Sequence, residues 1–304
     1  MAKTRSAVME TYDALQMGKW KGQERLGLGL AMLREPYADD KLAGILVIGE
    51  LCVPMGDVDG KDGFSHLCGG LEKAFREGHV CDWSTTDWLC TKAIGPAVAR
   101  PANANKASVQ RLLEWSRLDH ASSPLWLRRA GHVSFLNYID KGDKVFYNGF
   151  VKDLIAAAEA ASTGTTERFA HTGSGWVLRG CFLADKAAVA ACLERLTPWM
   201  SLEGLRSSLK KSSDKALQAR LEKMLVFPVP TSASPSTPFQ TLSPAWQSTA
   251  PSPSEASKNP RKKITVDGST DGDSERKAKG SAKRVGGKEK GAKQSKEGRG
   301  GGGE

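Results

Sequence analysis

Residues 82–89 read DWSTTDWL, which puts two tryptophans and two aspartates within seven positions. On a helix, Trp83 and Asp87 lie four apart and share a face. Such a pair is either a packed indole beside a capping or solvated acid, or an aromatic wall and an anion that together hold a cation. Two further stretches have related spacing, PLWLRRAGHVSFL (124–136) and GSGWVLRG (173–180). Trp126 and Arg129 are three apart, as are Trp176 and Arg179, so each of these pairs also shares a face. Three helices can thus each offer a tryptophan, with one aspartate and two or three arginines alongside. Trp88, Trp115, Trp126 and Trp199 are read as packing between helices, and Arg128 as a solvated neighbour of Arg129. None of the five histidines is given a role. Gly173 and Gly175 either let helices approach closely or loosen a helix start.

The elements that must position these residues are helices. Up to Phe227 apolar residues recur at helical spacing in one run after another, including ADDKLAGILVIGELCVPM, DGFSHLCGGLEKAFREG, STTDWLCTKAIGPAVA and ERFAHTGSGWVLRGCFLA. Pro96 is expected to end or kink its helix. No alternating run long enough for a strand occurs. Trp83, Trp126 and Trp176 recur at intervals of 43 and 50 residues. HEAT-type repeats are about 40–47 residues long and stack into a solenoid. The expected fold is therefore all-α, a HEAT-like helical repeat solenoid over residues 1–227, which needs no partner copy to fold.

From residue 228 the chain is Pro/Ser-rich and then Lys/Gly-rich, too polar to offset its ordering entropy, and is expected to be a disordered tail (228–304). Ser234-Pro235, Thr237-Pro238 and Ser243-Pro244 are candidate phosphorylation sites. The formal net charge is +10, of which residues 258–304 carry +7. The Lys-rich arm suits nonspecific, salt-sensitive DNA contacts, and NPRKK (259–263 with Asn259 preceded by Lys258) has the composition of a nuclear import signal. The body is nearly balanced, so an anion-binding face there must come from local placement. Six cysteines form neither a CxxC pair nor a zinc-ligand cluster, and are read as free buried thiols in a reducing, intracellular compartment. No metal is expected. No apolar run approaches the roughly 20 residues that span a bilayer, and no signal peptide is read.

DWSTTD, WLRRAGHVSFL and GSGWVLRG, in that order, resemble the AlkD-type DNA alkylation repair family, a group of HEAT-like repeat DNA glycosylases. The shared pattern is W-x-x-x-D on one repeat, W-x-x-R-A on the next and G-W-x-L-R on the one after. The resemblance runs from about Ala38 to Leu225 and is strongest from Trp83 to Arg179. Residues before Ala38 match poorly, and Asp82 stands where the family commonly has Trp or Asn. The resemblance implies that Asp87 is the catalytic carboxylate, that Trp83 and Trp176 are aromatic walls, and that Arg129 and Arg179, with Arg128 beside them, contact DNA phosphates. It implies alkylated double-stranded DNA as partner.

The chemistry suits these residue types. An N3- or N7-alkylated purine is cationic, so its glycosidic bond is already weakened. Its departure leaves an oxocarbenium-like sugar, which a fixed carboxylate stabilises while orienting a water. Indole faces favour a cation by roughly 0.5–2 kcal/mol. Neither a metal, a redox cofactor nor a lysine nucleophile is required, so a monofunctional glycosylase without cofactor is expected. The rivals are a non-catalytic DNA-structure binder, favoured if Asp87 is buried and ion-paired away from the tryptophans, and a protein–protein scaffold on the same fold.

Overall fold

Each amphipathic run can bury only one face, so these helices are stable only stacked on one another. The computed structural model describes residues 2–226 except Lys211 and Ser213. Among the described residues there are twelve helices and no strand. In chain order they are α1 (Ala2–Ala14), α2 (Gly22–Met32), α3 (Ala38–Leu46), α4 (Gly60–Arg76), α5 (Trp83–Leu89), α6 (Lys106–Arg117), α7 (Leu125–Val133), α8 (Phe150–Ser162), α9 (Arg168–Ala184), α10 (Lys186–Leu196), α11 (Leu202–Leu209) and α12 (Lys215–Val226). The expected tail, its phosphorylation sites and its basic arm lie outside the described residues.

The helices form two rows. In one, α3 packs on α5, α5 on α7, α7 on α9 and α9 on α11. In the other, α2 packs on α4, α6 on α8, α8 on α10 and α10 on α12. Helices α4 and α6 are tied by Trp115 Nε1, which donates to Glu72 Oε1 at 2.8 Å, and by Arg111 Nη1, which donates to Ser65 Oγ at 3.1 Å. This is the all-α, HEAT-like repeat stack that the spacing predicts. Buried residues follow the helical period, as in α4, where Phe64, Leu67, Cys68, Leu71, Ala74 and Phe75 face the core.

Local departures from the sequence reading have physical causes. Pro96 does not end α5. The helix widens into a π-helical stretch (Cys90–Ile94) and continues as Gly95–Val98. Helix α3 does the same before Pro54, through Val47–Cys52 into Val53–Met55. Proline lacks the N–H that an α-helix needs, and a π-bulge re-registers the bonds around that loss. The two π stretches pack together, and a Cβ on Gly49 would lie 2.2 Å from the Lys92 carbonyl oxygen. The run 124–140 divides, with α7 ending at Val133 and a 3-10 stretch (Leu136–Lys141) following.

Trp115 is buried, and Trp88 and Trp126 pack against the core as expected of them. Trp199 is 42% exposed and is not a core residue. Five cysteines are buried, and burial pushes their thiols up to about 12. Cys81 is the exception to the buried reading, since it is exposed.

Candidate active site

The site begins with the cap of α5. Asp82 is extended and its carboxylate accepts the Thr85 amide at 2.8 Å, which fixes the helix start at Trp83. The indole of Trp83 is left 55% exposed at the first helical position. Asp87 falls in the second turn, beyond the reach of a first-turn macrodipole effect. What meets its carboxylate is Arg129. Arg129 Nε donates to Asp87 Oδ1 and Nη2 to Oδ2, both at 2.8 Å. The side chains are 5% and 11% exposed. A carboxylate this deep needs such a bidentate partner, because desolvation otherwise disfavours its charge.

Arg129 also reaches the next helix. Its Nη1 donates to the Phe169 carbonyl at 2.7 Å and lies 3.5 Å from Thr172 Oγ1. A Cβ on Gly173 would stand 2.6 Å from Nη1, so only glycine lets the guanidinium pass. Asp87, Arg129 and Thr172 are each the fifth residue of their helix, α5, α7 and α9. The repeat stack aligns them in one row. All three side-chain nitrogens of Arg129, expected from the resemblance to contact phosphate, donate within the protein, two of them to Asp87.

A second row runs along the helix starts. Trp83, Trp126 and Phe169 are each 43 residues apart, and the Trp126 and Phe169 rings are 5.2 Å apart. A pocket of about 290 Å³ is lined by Trp83, Arg129, Arg168, Phe169, Thr172 and Glu203. Of the residues singled out in the sequence, it gathers Trp83 and Arg129, with Asp87 on the far end of Arg129's guanidinium. Trp176 does not line it. That indole is half-buried on α9, four residues beyond Thr172 and so on the same face. Arg179 is half-buried and makes no hydrogen bond or ion pair among the described residues.

Arg128, expected to be solvated beside a DNA contact, is buried instead. Its Nη1 bonds His120 Nδ1, its Nε has no partner among the described residues, and burial pushes its pKa down against the pull of Glu167 and Asp119. The fourth position of α7 faces into the stack.

Sequence reasoning missed Phe169, Arg168 and Glu203. The signal for Phe169 was present, because 43 residues after Trp126 is Phe169 and not Trp176. Two histidines also acquire structural roles. His132 is fully buried with Nδ1 3.0 Å from Ser116 Oγ, and burial, then the Arg129 charge, push it down to about 3. His171 Nδ1 accepts the Ser201 amide at 3.1 Å, joining α9 to the cap of α11. A larger pocket of about 410 Å³ lies among α1, α2 and α3, but its lining is mostly apolar, with Asp39 and Asp40 its only charged residues. No group of three or more potential metal ligands occurs among the described residues, and no described helix is long and apolar enough to cross a membrane.

Comparison with known proteins gives one finding. A family model described as DNA alkylation repair enzyme matches residues 4–212. The match starts well before Ala38, so the first helices belong to it, contrary to the poor N-terminal resemblance read from the motifs. No curated protein and no solved structure matches the chain.

Proposed function

The chain belongs to the DNA alkylation repair enzyme family, and on that premise we propose that it is a monofunctional glycosylase that hydrolyses the N-glycosidic bond of cationic N3- or N7-alkylated purines in double-stranded DNA. The observation that carries the reading is the Asp87–Arg129 pair beside the Trp83 pocket. Each Asp87 oxygen gives one lone pair to Arg129 and keeps another. A carboxylate so held is fixed in place, which is what stabilisation of a developing sugar cation requires. In this reading Asp87 opposes the oxocarbenium charge and orients water, Trp83 and Trp176 flank the lesion nucleotide, and Arg179, unpaired among the described residues, grips a phosphate. Arg129 acts through Asp87 as a positioning residue.

The same pair favours a second reading, a non-catalytic binder of altered DNA, because Asp87 is largely buried and already neutralised. Release of free 7-methylguanine from duplex DNA separates the two. The glycosylase reading expects release by the native chain and a fall of roughly 10²–10³-fold in Asp87→Asn with DNA binding retained. Binding without release by the native chain leaves the binder reading standing.

A further inference from the structure

The pocket among α1, α2 and α3 shares no lining residue with the one at Trp83, and neither Asp87 nor Arg129 borders it. Helix α1 turns Ala7, Thr11 and Leu15 towards it, at the four-residue spacing of one helical face. Met32 of α2, with Ala43 of α3 and Val47 of its π-helical continuation, closes the other sides. Ala7, Thr11 and Ala43 are small, so α1 packs on α3 without filling the space between them. Leu15 is left 53% exposed and Met32 half-buried, although both border the cavity.

Two acidic side chains interrupt this apolar wall, Asp39 and Asp40 in the first turn of α3. The macrodipole favours acids at that end of a helix. It gives them no partner, and neither forms an ion pair or a side-chain hydrogen bond among the described residues. No basic side chain lines the pocket. Lys41, next in sequence, donates its Nζ to the Leu33 and Glu35 carbonyls instead. Asp39 is exposed and Asp40 half-buried, so a group that met them would stay in contact with water.

We propose that this pocket is a binding site for a small amphiphilic cation, an amine or quaternary ammonium that carries a hydrocarbon group. The hydrocarbon occupies the space between α1 and α3, and the cationic head meets Asp39 and Asp40 on the water side. The volume of about 410 Å³ lies within the roughly 300–1,000 Å³ of small-molecule sites, which are mostly apolar with a few placed polar groups. Removal of the hydrocarbon from water drives binding. The acidic pair selects the sign of the head, since an anionic head finds no basic residue there. The site is independent of the glycosylase reading, which uses none of these residues.

The test is calorimetric titration of the full chain with decyltrimethylammonium, decanol and decanoate, each below its micelle concentration. The three share one chain and differ in the sign of the head. Decyltrimethylammonium is expected to bind tightest and decanoate weakest, with roughly tenfold or more between them. Asp39→Asn combined with Asp40→Asn should bring the three to within about twofold of one another and leave decanol as in the native chain. Ala7→Trp, at an exposed position of α1, fills the cavity and should weaken all three together by roughly tenfold or more. Thermal melts check that each variant folds. No binding of decyltrimethylammonium by the native chain overturns the proposal. Equal affinity for the three overturns the cationic ligand and leaves a general apolar site. An order that survives in the double variant, or binding undiminished in Ala7→Trp, places the ligand elsewhere and overturns the site.

Discussion

Asp87 and Arg129 come from helices 42 residues apart in sequence, and each makes the other's burial tolerable. Their energetic signature follows. Arg129→Met leaves a largely buried carboxylate unpaired and should destabilise the fold by about 3–5 kcal/mol. Replacing both, as Asp87→Met with Arg129→Met, should recover most of that loss, because an apolar pair of similar volume needs no compensating charge. Urea denaturation of the two single variants and the double variant measures it. A double variant as unstable as Arg129→Met would show that the pair is not coupled. In the sequence, Trp83, Asp87 and Arg129 were legible as chemistry-bearing residues. That Arg129 meets the Asp87 carboxylate was not, since helical spacing fixes which face a side chain occupies on its own helix but says nothing of what the neighbouring helix presents there.

Helix α9 positions the site through two glycines on different sides. Gly173 gives passage to Arg129, while Gly175 abuts α11, where a Cβ would lie 2.4 Å from the Gly204 carbonyl oxygen. The two substitutions should therefore separate. Gly175→Ala forces α9 and α11 apart and should cost about 1–3 kcal/mol of stability, with base release little changed below the melting range. Gly173→Ala should shift the Arg129 guanidinium and with it Asp87, lowering base release by roughly tenfold or more, since misplacement of about 1 Å costs up to 10²-fold. Melting temperatures and single-turnover release rates on the same preparations test the contrast, and equal effects of both on release would refute it. The sequence showed these glycines as sites of close approach or loosened ends. Packing chose close approach. It also chose Phe169 over Trp176 as the third member of the row at the helix starts. Tryptophan identity suggested an interval of 50 residues, but the stack repeats by helix position, and position places an equivalent residue 43 on.

The stack as a whole buries a titratable group at its centre. His132 lies between α6, α7 and α9, near Ser116 and Ser174, and Arg129 and Arg128 oppose its protonation from its own helix. Its folded value of about 3 lies below the ordinary histidine value of 6.5. Below pH 6.5 the unfolded chain therefore binds a proton that the folded chain does not. This contribution to stability is complete above pH 6.5 and is lost as pH falls towards 3, by about 1.4 kcal/mol per pH unit from this one group. His171, also lowered by burial, adds in the same direction. Denaturation at pH 7.5 and pH 5 should show the native chain losing more than His132→Gln does, and an equal loss would count against the buried neutral histidine.

By itself the sequence determined the all-α repeat architecture, because amphipathic period and repeat length are local properties that survive without knowing any contact. It also determined the motif residues that carry the resemblance to the family now matched over residues 4–212. Only the tertiary structure decided which of those residues meet. Arg129 turned inward to Asp87, Arg128 was buried against His120, and Arg168, Phe169 and Glu203 assembled a pocket that no single segment announces. The reason is that a side chain's partner is set by the register between stacked helices, through the close approaches at Gly173 and Gly175, and register between segments about 40 residues apart is not written in either one alone.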